Sequence, residues 1–387
     1  MNEAVLRTAL IGAAGKVAAP CHLNALRMAE RVQLVALCDT DRQTLDERAR
    51  EHGVDKTFDD FRSLLDDPEI DALDVVVPPH LHAEITVAGL QAGKHVYVEK
   101  PMARDLGEAR AMIDAAESAS VQLMVGESYF FHSPHRLARK LVDDGTIGSV
   151  LQIRVTLGPW LFNEAESRRL GGMGHDPAWR VDPALSGGGS FPWMMDHGPH
   201  LFATARLFGG SNIERVSALP RTHGFGRESH LGGITGVSWV YENDDVDGHW
   251  TYADTAAEAA RWVGFRTEVV GTEGTLLVFG EGGGPAPGFP PAAPVTLFRD
   301  GKETDYAIDE GPDRSWVSNN SYYDRAHTNT LEHFAGAILD SSDLLYDGRD
   351  GMRDLAATLA TIKSAIEEVP VSVADVGDGW RAYTSSP

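Results

Sequence analysis

Gly93-Lys94-His95-Val96-Tyr97-Val98-Glu99-Lys100-Pro101 is the stretch whose reading decides the fold. A short β-branched and aromatic run ends in an acid, a base and a proline. Side chains of this kind suit a buried strand. Pro101 has no amide for a further ladder hydrogen bond, so the strand stops there. Lys100 therefore falls near the carboxyl end of a buried strand, where open α/β sheets hold their ligands. A surface ion pair closing a strand would leave the same local sequence, and such pairs are common and weak. The remainder of the chain separates the two readings.

Strand and helix alternate around this stretch through the first 125 residues. Residues 5–11, 33–38, 72–77, 95–98 and 121–125 read as strands. Residues 18–29, 42–52, 81–92 and 106–118 read as helices. Pro78-Pro79 ends the third strand. Continuous apolar strands between helices predict an α/β fold with a parallel, doubly wound sheet of the Rossmann kind.

The pattern changes after residue 126. Residues 134–143 read as a helix and 150–157 as a long strand. A segment rich in glycine and tryptophan, 158–189, has the composition of an active-site loop region, and a helix covers about 193–207. Strand-like runs at 213–219, 236–241, 262–270 and 275–279 are separated by turn residues, which predicts a mostly antiparallel sheet. Residues 280–294 are expected to form an exposed loop, and 324–339 and 352–366 closing helices. Two domains follow: 1–125 for a dinucleotide, and 126–387 for substrate and oligomerisation. At 387 residues the chain exceeds one typical core, which agrees with that division.

The net charge of −23 argues against nucleic acid and against anionic membrane surfaces, since polyanions would be repelled. No run of 18 apolar residues is present, so no membrane span is expected. Residues 9–14 read as a strand entering a glycine turn rather than a secretory signal. Cys21 and Cys38 form no metal or disulfide framework, and a reducing, cytoplasmic location is expected.

The first strand ends in Gly12-Ala13-Ala14-Gly15-Lys16-Val17. A strand, a glycine turn and a helix form a phosphate-binding context, because helix N-terminal amides face the pyrophosphate. Ala14 and Val17 stand where the fingerprint has its second and third small residues. Asp39 ends the second strand, 22 residues after Val17, where an acid accepts hydrogen bonds from a ribose hydroxyl. A carboxylate there repels a 2′-phosphate, so NAD is favoured. Arg42 could still pair with a phosphate, which leaves NADP open. Gly12, Ala14, Gly15, Lys16, Val17, Asp39 and Arg42 are thus the candidate cofactor contacts.

A triglycine, Gly187-Gly188-Gly189, precedes Trp193-Met194-Met195-Asp196-His197-Gly198-Pro199-His200. Asp196 and His200 are four apart, so on a helix they share a face. A carboxylate beside an imidazole fixes its tautomer and raises its proton affinity. Such a dyad can accept a hydroxyl proton while a carbinol hydride leaves, with Lys100 polarising the oxygen. Asp196, His197 and His200 also carry ligand-type atoms, but no third ligand follows at a recognisable spacing, and no metal is expected.

These motifs, in this order, resemble the Gfo/Idh/MocA oxidoreductase family. The markers are the Gly12 to Gly15 turn, Pro78-Pro79-x-x-His82, the Glu99-Lys100-Pro101 motif, Asp144-Gly145-Thr146-Ile147-Gly148, and the triglycine leading into Asp196-x-Gly198-x-His200. The resemblance implies a Rossmann domain, a C-terminal domain with an open antiparallel sheet, and association into a homodimer or homotetramer through that sheet. It implies hydride transfer between a nicotinamide and a hydroxyl or carbonyl carbon of a sugar or cyclitol. By position, Lys100 matches the family's active-site lysine, Asp196 its helix aspartate and His200 its acid/base. Pro78, His82, Glu99 and Lys100 are placed beside the cofactor. The chain departs from the family pattern at Ala14, in one extra residue before His22, at Ala203, and at Phe130-Phe131-His132, where an Arg-Phe pair is common.

Trp160, Trp179, Arg180, Trp193 and His197 are the candidate substrate contacts. Aromatic faces stack on sugar C–H surfaces, and arginine offers a planar donor fork. Tyr322, Tyr323 and His327 are further candidates from the closing segment. Three functions are compatible with these residues. The first is an NAD(P)-dependent sugar or polyol dehydrogenase or reductase. The second is a redox-neutral hydrolase, lyase or epimerase with tightly held NAD. The third is a non-enzymatic NAD(P)-binding sensor, for which the retained lysine, aspartate and histidine have no chemical need.

Overall fold

The computed structural model describes residues 4–15, 18–158, 179, 182–220, 234–243, 245–252, 261–280, 283–286, 288–308 and 323–384. Six parallel strands form the first sheet: β1 (Leu6–Ile11), β2 (Val32–Cys38), β3 (Lys56–Phe58), β4 (Ala72–Val75), β5 (His95–Glu99) and β6 (Leu123–Gly126), in the order β3-β2-β1-β4-β5-β6. Strand order reverses between β1 and β4, which opens a crevice at the carboxyl edge. Leu10, Leu73, Val96 and Val98 are fully buried, so these strands read as continuous apolar runs.

The helices are α1 (Ala18–Met28), α2 (Arg42–His52), α3 (Arg62–Leu65), α4 (Pro79–Gln91), α5 (Leu106–Ala119), α6 (Ser128–Phe131), α7 (Ser133–Asp143), α8 (Pro183–Ser186), α9 (Pro192–Gly209), α10 (Tyr323–Leu339) and α11 (Gly348–Glu367). Local chemistry fixes their starts. Asp105 caps α5 by accepting the Glu108 amide, and Asp347 and Asp350 form a reciprocal capping box on α11.

The second sheet has nine strands, in the order β16-β15-β13-β12-β7-β10-β9-β8-β17. They are β7 (Val150–Leu157), β8 (Ile213–Pro220), β9 (Ile234–Tyr241), β10 (Asp247–Tyr252), β12 (Phe265–Gly271), β13 (Thr275–Phe279), β15 (Val295–Arg299), β16 (Lys302–Tyr306) and β17 (Val371–Ser372). β7 and β10 run parallel, and the other pairings in this sheet are antiparallel. Buried Ile153, Val155 and Leu157 alternate with the more exposed Gln152, Arg154 and Thr156, so one face of the sheet is covered. That face packs on α9 and α11.

The structure differs from the sequence reading in several places. β3, β10, β15, β16 and β17 are absent from that reading; β16 is a charged edge strand, and Gly248 lies inside β10 without breaking its pairing to β7 and β9. Residues 280–294 are not wholly an exposed loop: β14 (Gly284–Pro285) pairs with β11 (Trp262–Val263), and Gly283 and Gly284 are buried. The closing helices also reach back to the first sheet, α10 against α1 and α11 against α5.

Candidate active site

The cofactor cradle is built at the β1–β4 reversal. Gly12 has φ of +94°, and a Cβ there would lie 2.0 Å from the Val76 carbonyl oxygen. Only glycine lets the loop after β1 lie this close to the end of β4. The Ala14 amide donates to Asp39 Oδ2 at 2.9 Å, and the Asp41 amide donates to Asp39 Oδ1 at 2.9 Å. Asp39 therefore ties the tip of β2 to the glycine turn, while Asp41 caps α2 through the Thr44 amide. A glycine turn, a helix that starts at Ala18 and a carboxylate at the tip of β2 fit a dinucleotide with free ribose hydroxyls. Gly15 closes the turn by donating its amide to the Gly12 carbonyl. Lys16 and Val17 lie outside the described residues.

Three of the expected cofactor contacts have other partners. Arg42 pairs with Asp46 at 3.2 Å along the exposed side of α2. His82 is buried, with Nε2 2.8 Å from the Val77 carbonyl and Nδ1 2.9 Å from the Pro101 carbonyl. It staples the loop after β4 to the loop after β5 instead of presenting an atom to a ligand. Glu99 turns inward, with Oε1 2.9 Å from His22 Nε2 and Oε2 accepting the Lys100 amide at 3.0 Å. Pro78 precedes the first turn of α4, where its fixed φ suits a helix entry.

Lys100 stands at the carboxyl tip of β5, and the Lys100–Pro101 peptide is cis. Its Nζ donates to Asp196 Oδ1 at 3.0 Å and to the Asp196 carbonyl at 3.2 Å. The triglycine makes this approach geometrically accessible. A Cβ at Gly189 would lie 2.2 Å from the Ala382 carbonyl, and one at Gly188 2.7 Å from Pro192 Cα, directly at the start of α9. The segment thus packs tightly on its surroundings and delivers α9, with Asp196 and His200, to the edge of the parallel sheet.

The expected Asp196–His200 hydrogen bond is replaced by another pairing. His200 Nδ1 lies 2.6 Å from Glu127 Oε1, while Asp196 faces Lys100. Glu127 comes from the turn between β6 and α6, and its Oε1 also accepts the Tyr129 amide at 3.0 Å. The Tyr129 ring stacks on the His200 ring, centroids 4.0 Å apart and 15° from parallel. Glu127 is 0% exposed and His200 5%. Burial, reinforced by the Lys100 charge, drives the His200 pKa well below its ordinary value, with Asp196 and Glu99 opposing. Burial raises the Glu127 carboxyl to about 8, against the pull of Lys100 and the Tyr129 amide. Sequence reasoning missed Glu127, which gave no signal at helical spacing from His200.

Behind Lys100 lies a second buried network. His22 Nδ1 sits 3.0 and 2.9 Å from the two Asp74 oxygens, and its Nε2 faces Glu99. Burial would lower the His22 pKa, but the two carboxylates raise it to about 10. Burial would likewise raise Glu99, but the His22 hydrogen bond and charge, with His327 and Lys100, bring it to about 2. His22, Glu99 and His327 place ligand-type atoms within 4.8 Å of one another, and both His22 nitrogens already face carboxylates. The group is a charged hydrogen-bond network set directly beneath Lys100.

Of the expected substrate contacts, Trp193 is buried and packs against His197, ring centroids 3.7 Å apart and planes tilted by 32°. The His197 ring also stacks on Phe265, and its Nδ1 lies 3.5 Å from Asp196 Oδ2. Trp179 is half-buried. Trp160, Arg180 and Tyr322 fall outside the described residues, as does the Tyr323 side chain. His327 is buried in the network below Lys100.

Comparisons with known proteins agree with this architecture. A family model described as an oxidoreductase family with an NAD-binding Rossmann fold matches residues 6–127. The model for the GFO/IDH/MocA C-terminal domain matches residues 135–277. The levoglucosan dehydrogenase of Pseudarthrobacter phenanthrenivorans is 31% identical over 58% of this chain, and the matched part is 54% of that protein. The 1,5-anhydro-D-fructose reductase of Ensifer adhaerens is 29% identical over 93% of this chain and 96% of its own length. The fold superposes on scyllo-inositol dehydrogenase from Lactobacillus casei, solved with NAD(H) and scyllo-inositol. The TM-score is 0.72 at 21% identity, over 96% of this chain and 99% of that one. At that identity the likeness concerns the fold alone.

Proposed function

The chain belongs to the Gfo/Idh/MocA oxidoreductase family, with an NAD-binding Rossmann domain, and we propose that it moves a hydride between NAD and a carbinol or carbonyl carbon of a sugar, sugar derivative or cyclitol. The observation that carries this reading is the meeting of Lys100 with Asp196 at the carboxyl edge of the parallel sheet, with His200 one helical turn further along α9. Three groups able to polarise an oxygen and move a proton stand beside a cradle suited to a dinucleotide.

The cofactor, when bound, takes or gives the hydride at its nicotinamide ring. Gly12, Ala14, Gly15 and Asp39 would hold the dinucleotide, and Asp39 would select NAD by repelling a 2′-phosphate. Lys100 donates to the substrate oxygen and stabilises its developing negative charge. Asp196 orients the ammonium group. His200 accepts the hydroxyl proton in oxidation and returns it in reduction, acting at Nε2 because Nδ1 is engaged. Trp179, Trp193 and His197 shape the substrate side. Relatives named as sugar dehydrogenases and reductases support net redox turnover over the redox-neutral and sensor readings.

The domain division at 125/126, assembly into a homodimer or homotetramer through the nine-stranded sheet and a cytoplasmic location belong to the same reading. No described helix is long and apolar enough to cross a membrane.

The test is absorbance in the nicotinamide band with NAD or NADP against a panel of aldoses, anhydrosugars and cyclitols, alongside native mass spectrometry of the purified protein. Substrate-dependent NADH formation supports the reading. Retained NAD with glycoside consumption and no net absorbance change would replace it with redox-neutral chemistry.

A further inference from the structure

The aspartate on α9 has been taken up by Lys100, which leaves the proton-transfer histidine with a different acid. The Glu127 Oε1 atom accepts the Tyr129 amide, so it presents an acceptor lone pair to its second neighbour, His200 Nδ1, at 2.6 Å. Nδ1 then carries the hydrogen, and Nε2 is left with the lone pair that a base requires. Tyr129 stacking on the imidazole holds the ring plane. Glu127 Oε2 is buried with no hydrogen-bond partner among the described residues.

We propose that Glu127 is the positioning residue of the proton transfer: it sets the His200 tautomer and supplies the negative charge that the imidazolium requires when Nε2 takes the substrate proton. The inference rests on the dehydrogenase reading above and goes beyond it. In oxidation the carbinol O–H bond breaks and its proton goes to Nε2. The electron pair of the C–H bond leaves as hydride to the oxidised nicotinamide, and the carbon–oxygen double bond forms. The Nδ1 hydrogen bond to Glu127 then pairs opposite charges in a buried site, where a lone imidazolium near Lys100 would be strongly disfavoured.

Other titratable groups face this pair. Lys100 and Glu99 approach from β5, Asp196 from α9, and Asp354 and Tyr346 from α11 and the turn before it. Tyr97 on β5 also lies within reach of Glu127, its phenol raised well above its ordinary value by burial. His135 and His327 are held neutral by burial, at about 4 and about 3. Between pH 6 and 9 the proton lost here is the one held by the Glu127–His200 pair, while burial keeps His200 itself uncharged and Asp354, raised to about 6, is ionised through most of that range. Because Glu127 is raised to about 8, oxidation should climb as pH rises through that region and reduction should fall.

The experiment compares wild type, Glu127→Gln, Glu127→Asp, His200→Asn and the double variant. It measures kcat and KM in both directions across pH, with NAD binding followed by fluorescence. Glu127→Gln should lower oxidative kcat about 100-fold with KM nearly unchanged, and flatten the rise with pH. Glu127→Asp should recover part of the rate. In the His200→Asn background, Glu127→Gln should cause no further loss. Wild-type kcat and pH profile in Glu127→Gln, or additive losses in the double variant, would overturn the proposal. If Glu127→Gln fails to fold, Glu127→Asp decides: an unshifted pH profile at full kcat counts against it. Wild type without nicotinamide turnover on any panel member would instead remove the dehydrogenase reading itself.

Discussion

Lys100 Nζ reaches Asp196 Oδ1 at 3.0 Å, and this bond joins the carboxyl tip of β5 to the second turn of α9. It fixes a cation at the edge of the parallel sheet and consumes the aspartate that α9 would otherwise offer to His200. Replacing Lys100 by Met keeps length and removes charge. Oxidative kcat should fall about 100- to 1,000-fold, the range for losing a preorganised oxyanion donor. NAD binding should be retained, and the midpoint of thermal unfolding should drop modestly because Asp196 loses its partner. A variant with wild-type kcat would show that Lys100 is only a structural ion.

Asp39 ties the glycine turn by accepting the Ala14 amide, and in the proposed reading the cofactor's ribose lies beside it. Asp39→Ala should weaken NAD binding about 10-fold, and should improve the ratio of NADP to NAD in kcat/KM by a larger factor, because the repulsion of a 2′-phosphate is removed. Unchanged cofactor preference by steady-state kinetics would place the discriminating contact elsewhere.

Gly12 has no room for a side chain. Gly12→Ala should destabilise the fold by roughly 2 kcal/mol or more through its positive φ and the collision with the Val76 carbonyl. Denaturant unfolding measures the first effect, and NADH fluorescence the loss of cofactor affinity. An alanine variant that is stable and binds NAD normally would contradict the cradle.

The His22–Glu99 pair predicts a pH signature in stability. His22 is raised from its unfolded value near 6.5 to about 10, so its contribution is complete below 6.5 and disappears as pH rises to about 10. Glu99 is lowered to about 2, so its contribution is present above about 4.5 and disappears as pH falls toward 2. His22→Gln should cost about 3 kcal/mol near pH 6, the usual penalty for breaking a buried pair. The stability gap between wild type and variant should narrow from pH 6.5 to 10. A constant gap across that range would mean that His22 is neutral in the folded protein.

The parts of this molecule governed by local pattern were legible in the sequence. β5 and its Glu99-Lys100-Pro101 end, the Gly12 turn, Asp39 at the tip of β2 and α9 with Asp196 and His200 all follow from periodicity or short motifs. What escaped was decided by tertiary approach. Glu127 meets His200 across 73 residues, and His22 meets Glu99 across 77. An i,i+4 rule pairs Asp196 with His200, but it cannot see a lysine arriving from another strand to take the carboxylate. β16 escaped for a different reason: its residues Lys302, Glu303, Thr304 and Asp305 are polar on both faces, as an edge strand permits.

The central claim is a hydride moved between a carbinol carbon and the nicotinamide, and isotope transfer tests it most directly. A panel substrate that supports turnover would be deuterated at the carbinol carbon and incubated with NAD, and the mass of the recovered cofactor measured. Reduced cofactor carrying the deuterium is expected, at a rate that falls with Lys100→Met and His200→Asn. Product formation with unlabelled cofactor, or deuterium retained in the product, would contradict it.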